Sequence, residues 1–404
     1  MKLRFEAKKA IIIGAICAIA YCSVYICRDI LSALSPQLTS GSIFTTDQLG
    51  TLSSIFFFSY AIGQLINGII GDKVPGKYMV SLGLILASFC LFAMPHVAPL
   101  AAVPNIIYGA MGFFLAMVYA PMTKLISENT EPDLGTRCHV AHAMASYIAA
   151  PVSGLFATWM AWVPAFNVSS SILLIMGIVF FTSFTVMEKK GMVKPGSQTV
   201  RKSFDTGGSI RVLVKRGIVK WTFIAMLTGI VRTAVLFWLP TYISQHLSFD
   251  ADTASLLYTA GTSILFVNSF LAVFFLYLLK RNMDHCVLLF FSVAAVCFLG
   301  VYFIHQPYVN LALLIIGMIF SNCSSSIMWS RYCPSLIDTG MMSSATGFLD
   351  FCSYMAAAVS SKLFGGAVGA IGWSNLILIW LALMALGVLL TLPYPKATQK
   401  TKVQ

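Results

Sequence analysis

Apolar residues in this chain come in long, evenly repeated runs, and no other feature restricts its fold as strongly. The runs fall at 10–34, 48–70, 78–95, 101–126, 139–161, 166–187, 217–244, 253–279, 286–304, 308–330, 342–367 and 372–392. A hydrocarbon layer about 30 Å thick is crossed by about 20 apolar residues in a helix. Within lipid a helix satisfies its own backbone N–H and C=O groups, which an irregular segment or an open sheet edge cannot do. The expectation is an all-α membrane protein with twelve transmembrane helices. Composition agrees: 58% of residues are hydrophobic and 10% charged, whereas about a quarter are charged in a soluble domain. The first run follows the basic stretch MKLRFEAKK. It shows no convincing cleavage site and is expected to remain as an uncleaved first helix.

The formal net charge is +12, but its placement argues against nucleic acid as a partner. Lys and Arg gather at the N-terminus, at Lys73 and Lys77, across 189–220, at Lys280 and Arg281, and in the tail at Lys396, Lys400 and Lys402. The alternate loops, near 37–47, 96–100, 162–166, 245–252, 305–308 and 368–372, carry none. Positive loops stay on the cytoplasmic side, so both termini are expected there. The location implied is the plasma membrane, or the inner membrane of a bacterium. The ten cysteines show no CxxC pair or His/Cys ligand spacing, so no disulfide, metal or cofactor is expected.

The only long polar stretch is 188–216, EKKGMVKPGSQTVRKSFDTGGSIRVLVKR, which reads as a basic cytoplasmic linker. It divides the chain into an N-terminal six-helix bundle, 1–187, and a C-terminal one with a short tail, 217–404. The halves echo each other. Arg28 lies in the first apolar run and Arg232 in the seventh, about half the chain apart, and each is followed eight residues later by a proline, Pro36 and Pro240.

A guanidinium at membrane depth costs roughly 2.5–3.5 kcal/mol on insertion scales. A chain that accepts that cost once per half is expected to use the pair on an anion. Arginine suits the task because its fork donates two parallel hydrogen bonds and stays charged. Tyr21, Tyr25, Arg28 and Ser32 share one face of the first helix by their spacing. Tyr60, Gln64 and Asn67 form a second polar stripe, and Thr346, Asp350, Tyr354 and Ser361 a third. Either of these stripes could equally be glue between helices. His139 and His142 lie in the fifth run, with His142 the deeper. Asp29 sits about 100° round the helix from Arg28 and is not expected to face it. Lys362, in the outer third of the eleventh run, is expected to snorkel to the interface.

At these residues the chain resembles the organophosphate:phosphate antiporters of the major facilitator superfamily, which include glycerol-3-phosphate and hexose-phosphate transporters. YCSVYICRDILSALSPQL resembles their first helix, QLGTLSSIFFFSYAIGQLINGIIGDK their second, and VRTAVLFWLPTYIS their seventh. VAHAMASYIAAP and ATGFLDFCSYMAAAVSS resemble the fifth and eleventh. The resemblance implies two six-helix bundles with a site between them. It places Tyr21, Tyr25, Arg28, Arg232 and His142 on substrate-site positions, with the two arginines on the phosphoryl group. Three positions depart from the family. Gln64 stands where many members have lysine, Asp29 follows Arg28 where better-known members are basic, and Asp350 adds a carboxylate.

The function expected is secondary transport of a small organic anion by alternating access. The cargo would be a phosphorylated metabolite, a sugar phosphate or glycerol phosphate, exchanged for inorganic phosphate. The site would comprise Arg28, Arg232, Tyr21, Tyr25, Tyr60, Gln64, His142 and Asp350, with Asp350 a partner for a proton or a sugar hydroxyl. A monomer in the lipid bilayer is expected. Two alternatives stay open: a proton-coupled symporter of a carboxylate or sugar derivative, and a transporter-like membrane sensor of the same anion. No nucleophile–base pair or phosphate-cradling loop points to an enzyme.

Overall fold

Among the described residues the chain runs back and forth as twelve long helices. The structure is a computed structural model that describes residues 2–100, 102–194, 210–280, 282–333, 335–336 and 342–392. The first six helices are α1 (Lys2–Ala33), α2 (Thr46–Lys73), α3 (Gly76–Val97), α4 (Val103–Asn129), α5 (Pro132–Trp159) and α6 (Trp162–Lys189). Next come α7 (Ile218–Gln245), α8 (Ala251–Leu278), α9 (Met283–Phe303) and α10 (Pro307–Tyr332). One continuous stretch then bends at Gly372 into α11 (342–371) and α12 (373–391). By length and composition, ten stretches of the described residues can cross a membrane, and the last of them, Ala345–Thr391, holds both α11 and α12. Most of the linker expected at 188–216 lies outside the described residues.

Local chemistry sets the helix ends. Thr45 accepts the Gln48 N–H at 3.2 Å while the Gln48 side chain accepts the Thr45 N–H at 2.8 Å, a capping box that opens α2. The Asn282 side chain accepts from the N–H groups of Asp284 and His285 at the start of α9. Pro104 and Pro307 stand in the first turns of α4 and α10, where a missing N–H costs nothing. The bend between α11 and α12 has φ +76° and ψ 170° at Gly372, a region that only glycine adopts without strain.

The two Arg-x7-Pro repeats do not fold alike. A proline lacks an N–H, and its ring crowds the carbonyl four residues back. In the first half α1 stops at Ala33 and Pro36 opens a separate short helix, Ser35–Ser40. In the second, α7 runs on through Pro240, and the turns just before it, Ile230–Val235, are π-helical. Such wide turns often occur at functional sites, and this one carries Arg232.

Within the first half α1 packs along α5, and α3 along α6; within the second, α9 packs along α10 and α12. Between halves, α2 lies against α11, and α5 against the first part of α8. Several polar contacts between the halves lie at the end away from the N-terminus. Ser32 Oγ donates to the Phe237 carbonyl at 2.6 Å, and the Ser35 and Thr241 hydroxyls meet at 2.7 Å. Lys362, which the sequence sends toward the interface, is partly exposed at that end. Its Nζ reaches across to Asp47, 2.8 Å from Oδ1, because a carboxylate of the other half stands within reach of its flexible stem. Near the termini, the ion pairs Lys77–Glu188 and Lys220–Asp284 each stay within one half.

Candidate functional site

Arg28 points from α1 into the space between the halves and is 8% exposed. Its Nη1 donates to the hydroxyl of Tyr354 on α11 at 3.1 Å. Aromatic rings surround the guanidinium, with Tyr25 at 4.9 Å, Phe57 at 5.1 Å, Tyr354 at 5.2 Å and Tyr60 at 5.9 Å from its central carbon. Such contacts stabilise a desolvated cation by about 1–2 kcal/mol each at most. From the other half, Arg232 brings its guanidinium to 5.6 Å from the same Tyr354 ring. Tyr354 therefore touches both arginines.

Three N–H-bearing atoms of this pair are buried without a hydrogen-bond partner: Arg28 Nε, Arg232 Nε and Arg232 Nη2. An orphaned buried donor costs about 1–3 kcal/mol, and more on a charged group. A tetrahedral oxyanion presents acceptors that satisfy such donors in parallel pairs. Arg28, Asp29, Ser32, Phe57, Arg232, Thr233 and Tyr258 are among the residues that line one small cavity here.

The remaining residues expected from the sequence fall as follows. Tyr21 donates to the Tyr25 hydroxyl at 3.3 Å, their rings edge to face at 4.9 Å. Tyr60 is buried, with its ring 4.9 Å from that of Tyr354. Gln64 stands one turn further along α2 and is half-buried. Asp350 stands one turn before Tyr354 on α11, half-buried. Among the described residues it forms no ion pair with Arg28 or Arg232. The backbone of His142 lies in α5, but its side chain lies outside the described residues.

Asp29 corrects the sequence reading. Its carboxylate Oδ1 is 4.0 Å from Arg28 Nε, at the limit of an ion pair, and it lines the same cavity. Two flexible side chains can turn toward each other across the angle between adjacent positions, because a low-dielectric surround favours their approach. Phe57, Thr233 and Tyr258 carried no helical pattern that set them apart from packing residues. Tyr354 did belong to a polar stripe, but its place beside both arginines depends on how α11 meets α1 and α7.

Residues 17–361 match the family model of the Major Facilitator Superfamily. The chain belongs to that superfamily. Its family and fold are those of multi-pass membrane transporters. A probable hexose phosphate transport protein of Chlamydia pneumoniae is 22% identical over 418 residues, covering 95% of this chain and 90% of that one. The membrane sensor protein UhpC of Salmonella typhimurium is 27% identical over 67 residues, 17% of this chain and 15% of its own length. Among solved structures, a bacterial homologue of the human lysosomal transporter Spinster superposes with a TM-score of 0.72 at 10% identity, covering 95% of this chain and 96% of that one.

Proposed function

We propose that this major facilitator protein carries a small organic anion by alternating access, and that the cargo is a sugar phosphate or glycerol phosphate exchanged for inorganic phosphate. The observation that carries this reading is the arginine pair itself. Arg28 and Arg232 come from opposite halves, flank one tyrosine, and keep three buried donor atoms unpartnered. The name of the Chlamydia pneumoniae relative supports the same cargo class. A dianion between the guanidiniums draws the halves together and favours states in which both arginines reach it, a differential-affinity mechanism.

Asp29, on the wall of the arginine cavity, favours a second reading, symport of an anion with a proton. Counterflow in proteoliposomes separates the two: exchange driven by internal phosphate without acidification supports antiport, and uptake driven by a pH gradient without internal phosphate supports symport. A sensor would bind the anion and show no counterflow.

The clamp is tested by thermal-shift titration of the purified protein with phosphorylated metabolites and their unphosphorylated counterparts. Arg28→Lys or Arg232→Lys is expected to weaken the true ligand about tenfold, the loss of one charge-assisted hydrogen bond of about 1.5 kcal/mol. Lysine keeps the charge but not the fork. If both variants respond to every ligand as the parent does, the clamp is wrong.

A further inference from the structure

We propose that Asp29 makes this site select a phosphate ester that also carries a cationic amine, an amino-sugar phosphate or a phosphorylated amino alcohol. The proposal rests on the phosphate-clamp reading above and deepens it, by naming what part of the cargo meets the wall beside the arginines. Two guanidiniums and one carboxylate line the cavity, so positive charge exceeds negative there by a single unit. A phosphate monoester brings nearly two negative charges at neutral pH. An ester whose tail bears an ammonium brings about one, and the charges then balance. Apolar side chains line the rest of the cavity, and their low dielectric raises the cost of a mismatch.

Asp29 is available for this task. An ionisable side chain at membrane depth is costly and is normally held by a partner. Among the described residues Asp29 has one ion pair, with Arg28, and at 4.0 Å from Nε its Oδ1 stands beyond hydrogen-bonding distance. Arg28 Nε is left without a hydrogen-bond partner, so neither group has spent its bonds on the other. A primary ammonium carries three N–H donors and needs three acceptors. The same wall supplies them. Asp29 offers its carboxylate. Thr233 Oγ1 is buried without a hydrogen-bond partner. Ser32 Oγ gives its own proton to the Phe237 carbonyl and keeps its lone pairs. Ser32 lies one turn beyond Arg28 on α1, and Thr233 adjoins Arg232 on α7. One short cargo can therefore meet the guanidiniums with its phosphoryl group and these acceptors with its amine. Tyr258, fully buried, lines the same cavity from α8. A hydroxyl in place of the ammonium would leave the carboxylate's charge unanswered.

Thermal-shift titration of the full-length protein in detergent compares two pairs of phosphate esters, each pair exchanging an ammonium for a hydroxyl. One pair is glucosamine 6-phosphate and glucose 6-phosphate; the other is O-phosphoethanolamine and 2-hydroxyethyl phosphate. In the parent, the amine of at least one pair should bind about tenfold tighter, the worth of one hydrogen bond between charged groups. A preference in the first pair alone identifies an amino-sugar phosphate, and in the second alone a phosphorylated amino alcohol. Asp29→Asn keeps the shape and removes the charge. It should abolish or reverse the preference while inorganic phosphate binds tighter. Gel filtration and the unfolding temperature without ligand confirm that the variant is folded, and the comparison within the parent needs no variant. Equal affinities in both pairs, or a preference that survives Asp29→Asn, would overturn the assignment of Asp29. Esters that bind without preference, yet weaken in Arg28→Lys, leave the clamp standing and remove this inference alone. A parent that responds to no phosphate ester removes both.

Discussion

At the scale of single residues, the site holds three buried guanidinium nitrogens without a hydrogen-bond partner, and a fourth is taken up by Tyr354. Its hydroxyl occupies Arg28 Nη1, so it both stabilises the empty protein and competes with an arriving anion. Tyr354→Phe keeps the ring beside both guanidiniums and removes that competitor. The expected outcome is a loss of about 1 kcal/mol of stability without ligand, together with a larger thermal shift from inorganic phosphate. A smaller shift would mean that the phenol is itself an anion ligand. Asp29 acts in the opposite sense, because a carboxylate on the cavity wall repels an incoming anion. Asp29→Asn should tighten phosphate binding, read by the same titration. Helical spacing was enough to put Tyr25 and Arg28 on one face. It could not show that Asp29 would also turn in, since rotamer choice follows from the neighbours.

At the scale of elements, helices and their order were legible as apolar runs, while their irregularities were not. The turn at Gly372 depends on a backbone conformation closed to residues with a Cβ. Gly372→Ala should lower stability by about 1–3 kcal/mol, measured as a lower unfolding temperature in detergent, with little change in ligand response. The two Arg-x7-Pro motifs match in sequence, but one proline follows a helix end and the other lies within a helix. The same local chemistry meets different packing in the two halves. At the start of α8, the Asp250 carboxylate accepts the Thr253 N–H at 2.9 Å, and this bond holds its carboxyl below the usual carboxylate range. A lowered folded value makes the cap stabilising above about pH 4 and lost as pH falls through the lower value. Asp250→Asn should therefore flatten that part of an acid-unfolding curve and leave neutral pH nearly unchanged.

At the scale of the whole molecule, alternation of basic and uncharged loops predicts both termini on the cytoplasmic side of the plasma membrane, the inner one in a bacterium. Terminal tags should be shielded from added protease in intact cells and cleaved once the membrane is opened. Cleavage in intact cells would reverse the orientation. The amino-acid order alone determined that this chain must cross lipid many times as helix, because water-fearing stretches of that length have no other way to satisfy their backbone. It also marked two arginines as costly enough to need a purpose. Only the tertiary structure decided that both reach Tyr354, that Asp29 turns toward Arg28, and that Lys362 reaches Asp47. Such pairings join residues hundreds of positions apart, and their distances depend on how rigid helices pack rather than on any periodic pattern along one of them.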